Sequence, residues 1–474
     1  MLTSSPVAES AVAAVPGGAR ERRALFVLTV LALGLRLLFV WAEPETYPVA
    51  DETMWVTWGT QVLPSPEVAF SPLAFPFRFV FHPPLYLYFL GGLFALFGSL
   101  TAIKVAQACV AALLVPAVGR LGTVALGPRA GLFAAGIAAV YPELVWFAAH
   151  FWAETLFLTL FWWAFERTVA ADRNGSIRAA AFAGVLWGLA VLTRETVLYF
   201  APVPAAWLFW RRPQGLVRAA TFLLVTLLTV APWTYRNWRV FGAFVPVSTA
   251  GALNLWQGNT RLSRQEVYEQ DWATRGKIAK YEAARRKGVE AILERQPWWI
   301  FEKLRDEMPN FWEADSQALV HMRRKAYAEV KPATALLATL VVVAPYLVVL
   351  ALSVAALGTL PFDRVPVLLL AFLVYYNLIH VATHGYARYR LPALPALFVM
   401  AGWTLAMWRS PSVARAPAWR RGLVLASAVT LTVSLAPSLR LMFRPGGLVS
   451  ENARYAPGSG PEGVSTPSDE AGER

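Results

Sequence analysis

Leu25-Phe26-Val27-Leu28, continuing in apolar residues to Leu37-Leu38-Phe39-Val40-Trp41 and followed shortly by Asp51-Glu52, is the stretch that decides the fold. A run of this length crosses a bilayer as a helix, because backbone groups in lipid must be paired within their own segment. Arg20-Glu21-Arg22-Arg23 stands just before it, so the amino end lies inside by the positive-inside rule. The run is long and lacks a small-residue cleavage site, and it reads as an uncleaved first helix rather than a signal peptide. Asp51-Glu52 therefore falls where the chain first reaches the far side of the membrane. A carboxylate pair there is costly or idle unless it has work to do, which points to chemistry at a membrane surface.

Composition agrees. Hydrophobic residues make up 57% of the chain and charged residues 15%, against about a quarter charged in soluble domains. The chain reads as an all-α polytopic membrane protein. A net charge of +13 could signal nucleic acid, but the arginines lie in short clusters between apolar segments. That distribution is a topology signal and a means of contact with anionic lipid; no nucleic-acid partner is expected. Cys109 is the single cysteine, which excludes an intrachain disulfide.

Length and charge set out about eleven spans, at 24–41, 102–120, 130–148, 152–168, 178–193, 197–210, 217–234, 333–357, 366–383, 391–408 and 422–438. Arg120/Arg129, Arg167/Arg173/Arg178, Arg211/Arg212/Arg218, Arg364 and Arg409/Arg415/Arg420/Arg421 mark alternate connections as cytoplasmic. Pro84 to Gly98 is apolar but short, and a full crossing there would reverse those sides. It is expected to lie in or dip into the outer leaflet. The organisation is then a cytoplasmic segment 1–23, a transmembrane module 24–234 holding an external loop 42–101, a second external loop 235–332, carboxy-terminal helices 333–440 and a disordered tail 441–474. Within the second loop, Leu262 to Lys287 reads as solvent-facing helix. Trp298-Trp299-Ile300-Phe301 and Phe311-Trp312 read as interfacial anchors. No fixed-period repeat is visible, which disfavours transporters built from two similar halves.

Charged residues at membrane depth are functional candidates. Glu154 sits one turn into a span; Arg194-Glu195, Arg236-Asn237, and His384 with Arg388 and Arg390 stand at the outer ends of others. One topology brings these groups to the same face as Asp51, Glu52 and His82. Singly, each also has a plainer reading. Asp51-Glu52 suits a solvated helix start, His82 a turn before two prolines, and Arg194 or Arg236 snorkelling to headgroup phosphates. Glu154 is harder to dismiss, since a carboxylate inside a span is penalised unless paired. Arg36 in the first span calls for a structural partner.

A family resemblance rests on Asp51-Glu52, His82-Pro83-Pro84-Leu85-Tyr86, Gly188-Leu189-Ala190 with Thr193-Arg194, Pro232-Trp233 with Arg236-Asn237, Asn254-Leu255-Trp256 with Gly258-Asn259, and Arg388-Tyr389-Arg390 with Pro392 and Pro395. Together these resemble bacterial membrane glycosyltransferases of the GT-C fold, related to dolichyl-phosphate-mannose protein mannosyltransferase and to lipid A aminoarabinose transferase. The resemblance spans about residues 24–405. It implies a sugar donor carried on polyprenyl phosphate, an external or periplasmic active site on a bacterial inner membrane, and an amino-terminal module bearing the catalytic loop.

The residues fit that chemistry. No glycine-rich phosphate loop and no Asp-x-Asp motif is present, as suits a donor that needs no nucleotide site. An acceptor hydroxyl attacking the anomeric carbon calls for a positioned carboxylate; Asp51 is the expected base, with inversion at the sugar. Glu52 and His82 would orient it or bind the acceptor. Charge building on the departing phosphate calls for fixed cations: Arg194, Arg236, Arg388 and, less directly, Arg390. Glu154, Asn237, Tyr86, and Asn254 with Asn259 after a glycine-rich, strand-like run, are expected to bind substrate. Glu52 and His82 together are too weak a signal for a metal, and no cofactor is expected. The aminoarabinose transferases carry lysine where this chain has Arg194 and Glu-Lys-Pro where it has His82-Pro83-Pro84. The acceptor, whether protein, lipid or glycan, is therefore left open. A cell-surface polysaccharide polymerase or ligase remains the alternative. A secondary transporter fits less well, since its charges would sit near the midplane with access from both sides.

Overall fold

The computed structural model describes residues 18–43, 51–62, 78–210, 212–324, 326–327, 330–409 and 416–442. Residues 1–17 of the expected cytoplasmic segment 1–23 and 443–474 of the expected tail 441–474 lie outside them, as do parts of both loops. Among the described residues the chain is helical and contains no strand. In order, the amino-terminal helices are α1 (Ala19–Ala42), α2 (Asp51–Val62), α3 (Leu85–Phe97), α4 (Leu100–Ala112), α5 (Leu114–Leu126), α6 (Pro128–Val140), α7 (Pro142–Ala149), α8 (Glu154–Asn174), α9 (Ile177–Thr193), α10 (Pro202–Phe209) and α11 (Gly215–Phe241). Then come α12 (Ala250–Asn259), α13 (Arg264–Ala273), α14 (Lys277–Leu293), α15 (Trp299–Trp312) and α16 (Gln317–Arg323). The chain closes with α17 (Pro332–Leu357), α18 (Arg364–Ala382), α19 (Leu394–Ala406) and α20 (Ala418–Met442).

The all-α polytopic class is as expected, but the spans are less regular than an eleven-fold count. Among the described residues, six helices are long and apolar enough to cross a membrane: α1, α4 with α5, α11, α17, α18 and α20. A seventh is added if α6 and α7, bent by 48°, form one span. Proline accounts for much of the difference, because it removes an amide donor and disfavours helix before it. The expected span at 197–210 is a 3-10 turn, Glu195–Leu198, followed by the short α10 from Pro202. The one at 391–408 starts within a 3-10 turn, Ala387–Ala393, around Pro392. The glycine-rich run before Asn254, expected to be strand-like, is irregular over 242–249 and passes into helix α12 at Ala250. Leu262 to Lys287 is helical, as read, in α13 and α14. Trp298 and Phe301 are well exposed, whereas Phe311 is fully buried and belongs to the core rather than to an interface.

The core forms where α8 packs on α9, α9 on α11, α5 on α6 and α6 on α19. Gly188 makes the α9–α11 approach feasible, since a Cβ there would stand 2.5 Å from the Cβ of Thr229. Gly258 plays the same part in α12. A Cβ on it would overlap the Thr383 carbonyl oxygen, and Lys303 Nζ bridges the Gly258 and Thr383 carbonyls at 2.6 and 2.7 Å. Two short motif elements thus mark close helix packing.

Arg36 has the structural partner its position called for. Pro142 cannot donate to Ala138 four residues back, so α6 ends with unpaired carbonyls. Arg36 is fully buried in α1, and its guanidinium donates to Ala139 and Ala138 at 3.0 and 3.3 Å and to Ala32 at 3.0 Å. The charge is spent on a broken helix end. Replacing it with an apolar side chain leaves buried acceptors unsatisfied, at about 1–3 kcal/mol each. Arg36→Leu is therefore expected to lower the melting midpoint of the detergent-solubilised protein by several degrees, read by scanning fluorimetry; an unchanged midpoint would contradict this capping role.

Candidate active site at the head of helix α2

Helix α2 begins with Asp51 and Glu52, and acids are favoured in a first turn by the exposed amides and the helix dipole. Adjacent helical residues point in different directions, and this pair divides accordingly. Asp51 keeps its side chain about half exposed at 46%, while Glu52 is buried.

Asp51 Oδ2 accepts from Arg388 Nη1 at 3.0 Å. The same guanidinium places Nε 3.6 Å from Glu154 Oε1, which also accepts from Arg194 Nη1 at 3.0 Å. Two carboxylates and two arginines so form one continuous chain. They come from four places: the start of α2, the start of α8, the residue capping α9, and the 3-10 turn before α19. Arg388 lies over the Trp152 ring at 4.5 Å and beside Tyr389 at 5.3 Å, with Arg194 5.6 Å from the same tyrosine. His82 packs on Trp55 and Trp58 with ring centroids at 4.9 and 6.2 Å.

Electrostatics keep the carboxylate of Asp51 ionised. Burial, the largest influence, opposes its charge, but Arg388, His82 and Arg264 together hold it below the ordinary aspartate value. Burial brings His82 down to about 4, against the pull of Asp51 and with the help of Arg388 and Arg194. His384, 3.3 Å from the Tyr389 hydroxyl, is lowered by burial to about 3. Both imidazoles are neutral near pH 7, so the fixed positive charge of the site comes from the arginines.

Glu52 turns into a separate buried group. Its Oε1 accepts from the Phe151 amide at 2.9 Å, and Oε2 lies 3.3 Å from His321 Nε2. His150 Nε2 is 2.9 Å from Glu43 Oε1, and Lys104 donates to Glu43 Oε2 at 2.8 Å. Donor atoms of Glu52, His150 and His321 lie within 4.8 Å of one another. These are the residues whose placement would suit a metal; the pairing of Glu52 with His82 considered from sequence does not form.

Asp51, Glu154, Arg194, Arg388 and His82 are brought together, and the other sequence candidates have different surroundings. Tyr86 is buried and donates to Gln107 Oε1 at 2.6 Å, while Gln107 Nε2 donates to the His150 carbonyl at 3.1 Å. Arg390 is buried, donating to the Glu313 and Asp315 carbonyls and lying 4.0 Å from the Tyr346 ring centroid. Arg236 stacks on Trp233 and Phe241 at 4.8 and 5.3 Å and donates to Asn237 Oδ1. Asn237 donates to the Val245 and Val247 carbonyls, which closes the turn after α11. Asn259 is a buried hub, donating to Leu255 and Ala382 and accepting from Trp299 at 2.7 Å. Asn254 is half-buried in α12.

Several site residues escaped the sequence reading: His150, His321, Glu43 and Arg264, the last of which acts on Asp51 from α13 in the second loop; Tyr389 entered it only as the middle of the Arg388-Tyr389-Arg390 motif. One signal was available. The chain has five histidines, and all five have ring contacts beside the Asp51 network or the Glu52 group.

Residues 81–235 match the dolichyl-phosphate-mannose-protein mannosyltransferase family. That segment holds His82, Glu154 and Arg194, whereas Asp51 and Arg388 lie outside it. No curated protein matches the chain by sequence. Among solved structures it is similar to ArnT from Cupriavidus metallidurans bound to undecaprenyl phosphate, at 17% identity over 89% of this chain and 73% of that one, with a TM-score of 0.49. It is also similar to the oligosaccharyltransferase AglB from Archaeoglobus fulgidus in complex with an inhibitory peptide and a dolichol-phosphate, at 15% identity over 88% of this chain, with a TM-score of 0.48. The chain spans 56% of the length of that archaeal protein. The family match thus agrees with the motif reading: this multi-pass membrane chain resembles GT-C membrane glycosyltransferases.

Proposed function

We propose that this chain is an integral-membrane glycosyltransferase that moves a sugar from a polyprenyl-phosphate donor to a protein, lipid or glycan acceptor. The reaction takes place on the external face of a bacterial inner membrane. The observation that carries the reading is the Asp51–Arg388–Glu154–Arg194 chain. It supplies a half-exposed carboxylate for a proton and two arginines for a leaving phosphate, in contact with each other. The match of residues 81–235 to a mannosyltransferase family, and the binding of a lipid phosphate by similar membrane proteins, support the substrate class.

In the reaction, the acceptor oxygen attacks the anomeric carbon from the face opposite the phosphate, and its proton passes to Asp51. The bond between the anomeric carbon and the phosphate oxygen breaks, and its electron pair leaves with the polyprenyl phosphate. Configuration inverts. Arg194 and Arg388 meet the charge that grows on the departing phosphate, in a fork geometry suited to phosphate. Glu154 holds the two guanidinium groups side by side before the donor arrives. Arg390 and Arg236, each occupied elsewhere, are dropped from the phosphate-binding set. Asn237 and Asn259 are read as loop-holding residues rather than sugar ligands, and Tyr86 as a support for the base of the site.

Membranes holding equal amounts of wild-type protein or Asp51→Asn, given radiolabelled sugar on polyprenyl phosphate, test the assignment directly. Transfer is expected to fall by about 100-fold to 10,000-fold in Asp51→Asn; equal transfer by both would remove Asp51 from catalysis. Arg388→Met is expected to lose transfer while Arg390→Met, at matched expression, acts through stability alone and responds to lower temperature. Because His82 and His384 stay neutral above about pH 4, kcat/KM should show no ionisation of either near the ordinary histidine value of about 6.5. A step there that disappears in His82→Gln would contradict this.

A further inference from the structure

We propose that Glu52, His150 and His321, with Glu43 beside them as a neighbouring charge, form a binding site for one divalent first-row cation of the zinc type, which locks the head of α2 to the second loop. The four side chains come from the end of α1, the first turn of α2, the end of α7 and α16. All are buried, at 1% exposure for Glu43 and His150, 3% for Glu52 and 0% for His321.

The argument lies in the imidazole tautomers. His150 Nδ1 is 3.0 Å from the Trp146 carbonyl, and His321 Nδ1 is 3.0 Å from the Gln317 carbonyl. A carbonyl only accepts, so each Nδ1 carries the hydrogen, and in the neutral ring each Nε2 presents a lone pair. Those lone pairs face carboxylate oxygens: Glu43 Oε1 at 2.9 Å and Glu52 Oε2 at 3.3 Å. Glu43 Oε1 is buried and has no hydrogen-bond donor of its own. Tyr327, whose oxygen accepts from Trp146 Nε1 at 2.6 Å, can give one hydrogen to His150 Nε2 at 3.2 Å. The two nitrogen-to-carboxylate contacts still lack any positive centre between them.

Two positive charges could fill the gap if both rings were protonated. Their centroids are 5.5 Å apart in a dry interior, where each unpaired charge is expensive. A single divalent ion satisfies the donor atoms of Glu52, His150 and His321 at once, since these lie within 4.8 Å of one another, and its charge also meets the adjoining Glu43 carboxylate. The donor set suits it: imidazole and carboxylate bind zinc at about 2.0–2.2 Å, so tetrahedral neighbours stand about 3.3 Å apart. The Glu52–His321 separation has that value. A ring whose other nitrogen donates to a backbone carbonyl is also the usual support for a ligating histidine. Magnesium, which demands oxygen ligands in an octahedron, suits the group poorly.

Glu52 is then a positioning residue. Holding it from below fixes α2, and Asp51 on the adjoining face is delivered to Arg388. The proposal does not depend on the transferase reading, because metal content is measured without any substrate.

The test uses the full-length protein in detergent, purified without metal-affinity steps, with zinc measured by mass spectrometry after desalting. About one zinc per chain is expected in wild type and in Asp51→Asn, with at least a tenfold loss in Glu52→Gln and His321→Gln. Cobalt soaked into stripped wild type should give the visible bands of a tetrahedral ion, a readout that needs no variant to fold. Added zinc, and not magnesium, should raise the melting midpoint of stripped wild type. Wild type that holds no zinc after incubation with excess and gives no tetrahedral cobalt spectrum would overturn the site, as would variants that keep the full amount.

Discussion

Two neighbouring carboxylates on a helix cannot serve one purpose, and the organisation of this protein follows from that constraint. A rotation of about 100° separates Asp51 from Glu52. One carboxylate reaches the aromatic-lined chain of arginines, while the other turns into the body of the protein toward His321 and the Phe151 amide. In the proposed reaction the exposed member has a proton to exchange, and in the proposed cation site the buried member has a position to hold. Elements distant in sequence then assemble around this split, with α8 and α9 supplying Glu154 and Arg194, and the turn before α19 supplying Arg388.

Low dielectric makes such a network costly unless it is complete. Balance of charge meets that condition: Asp51 and Glu154 match Arg388 and Arg194, and His82 and His384 stay neutral. The same accounting separates the other arginines. Arg36 caps the broken end of α6, and Arg390 holds carbonyls of the segment after α15. An arginine whose hydrogen bonds all go to backbone carbonyls is holding structure. One whose partners are carboxylates with exposed neighbours is free to exchange them for a phosphate.

How much of this was readable beforehand varies with the physics involved. Apolar length and arginine placement made the polytopic class plain. The acid at Asp51 and the cost of Glu154 pointed to the cluster now seen as the candidate site, because an unpaired carboxylate in lipid has few innocent explanations. The pairing of Arg388 with both acids was not readable, since it depends on how the 3-10 turn around Pro392 aims its side chains. The surroundings of Asn237 and Asn259 were not readable for a related reason. An amide that closes a turn and one that binds a sugar hydroxyl look alike in sequence, and only the carbonyls within reach distinguish them. His150 and His321 were passed over because each stands singly, 171 positions apart by subtraction of their numbers. Their convergence is a property of the fold.

In the proposed reaction, the shared position of Arg388 would link donor binding to catalysis. In the free protein this guanidinium is divided between Asp51 at 3.0 Å and Glu154 at 3.6 Å. A donor phosphate competes for it with greater charge and better fork geometry. Each degree to which Arg388 turns toward the phosphate weakens its hold on Asp51, and the Asp51 carboxylate becomes a stronger base. The same displacement leaves Glu154 to Arg194, so that residue keeps its partner while the first pair opens. An enzyme arranged in this way would carry a subdued base until the leaving group is in place. The arginine that receives the leaving group would then also release the base.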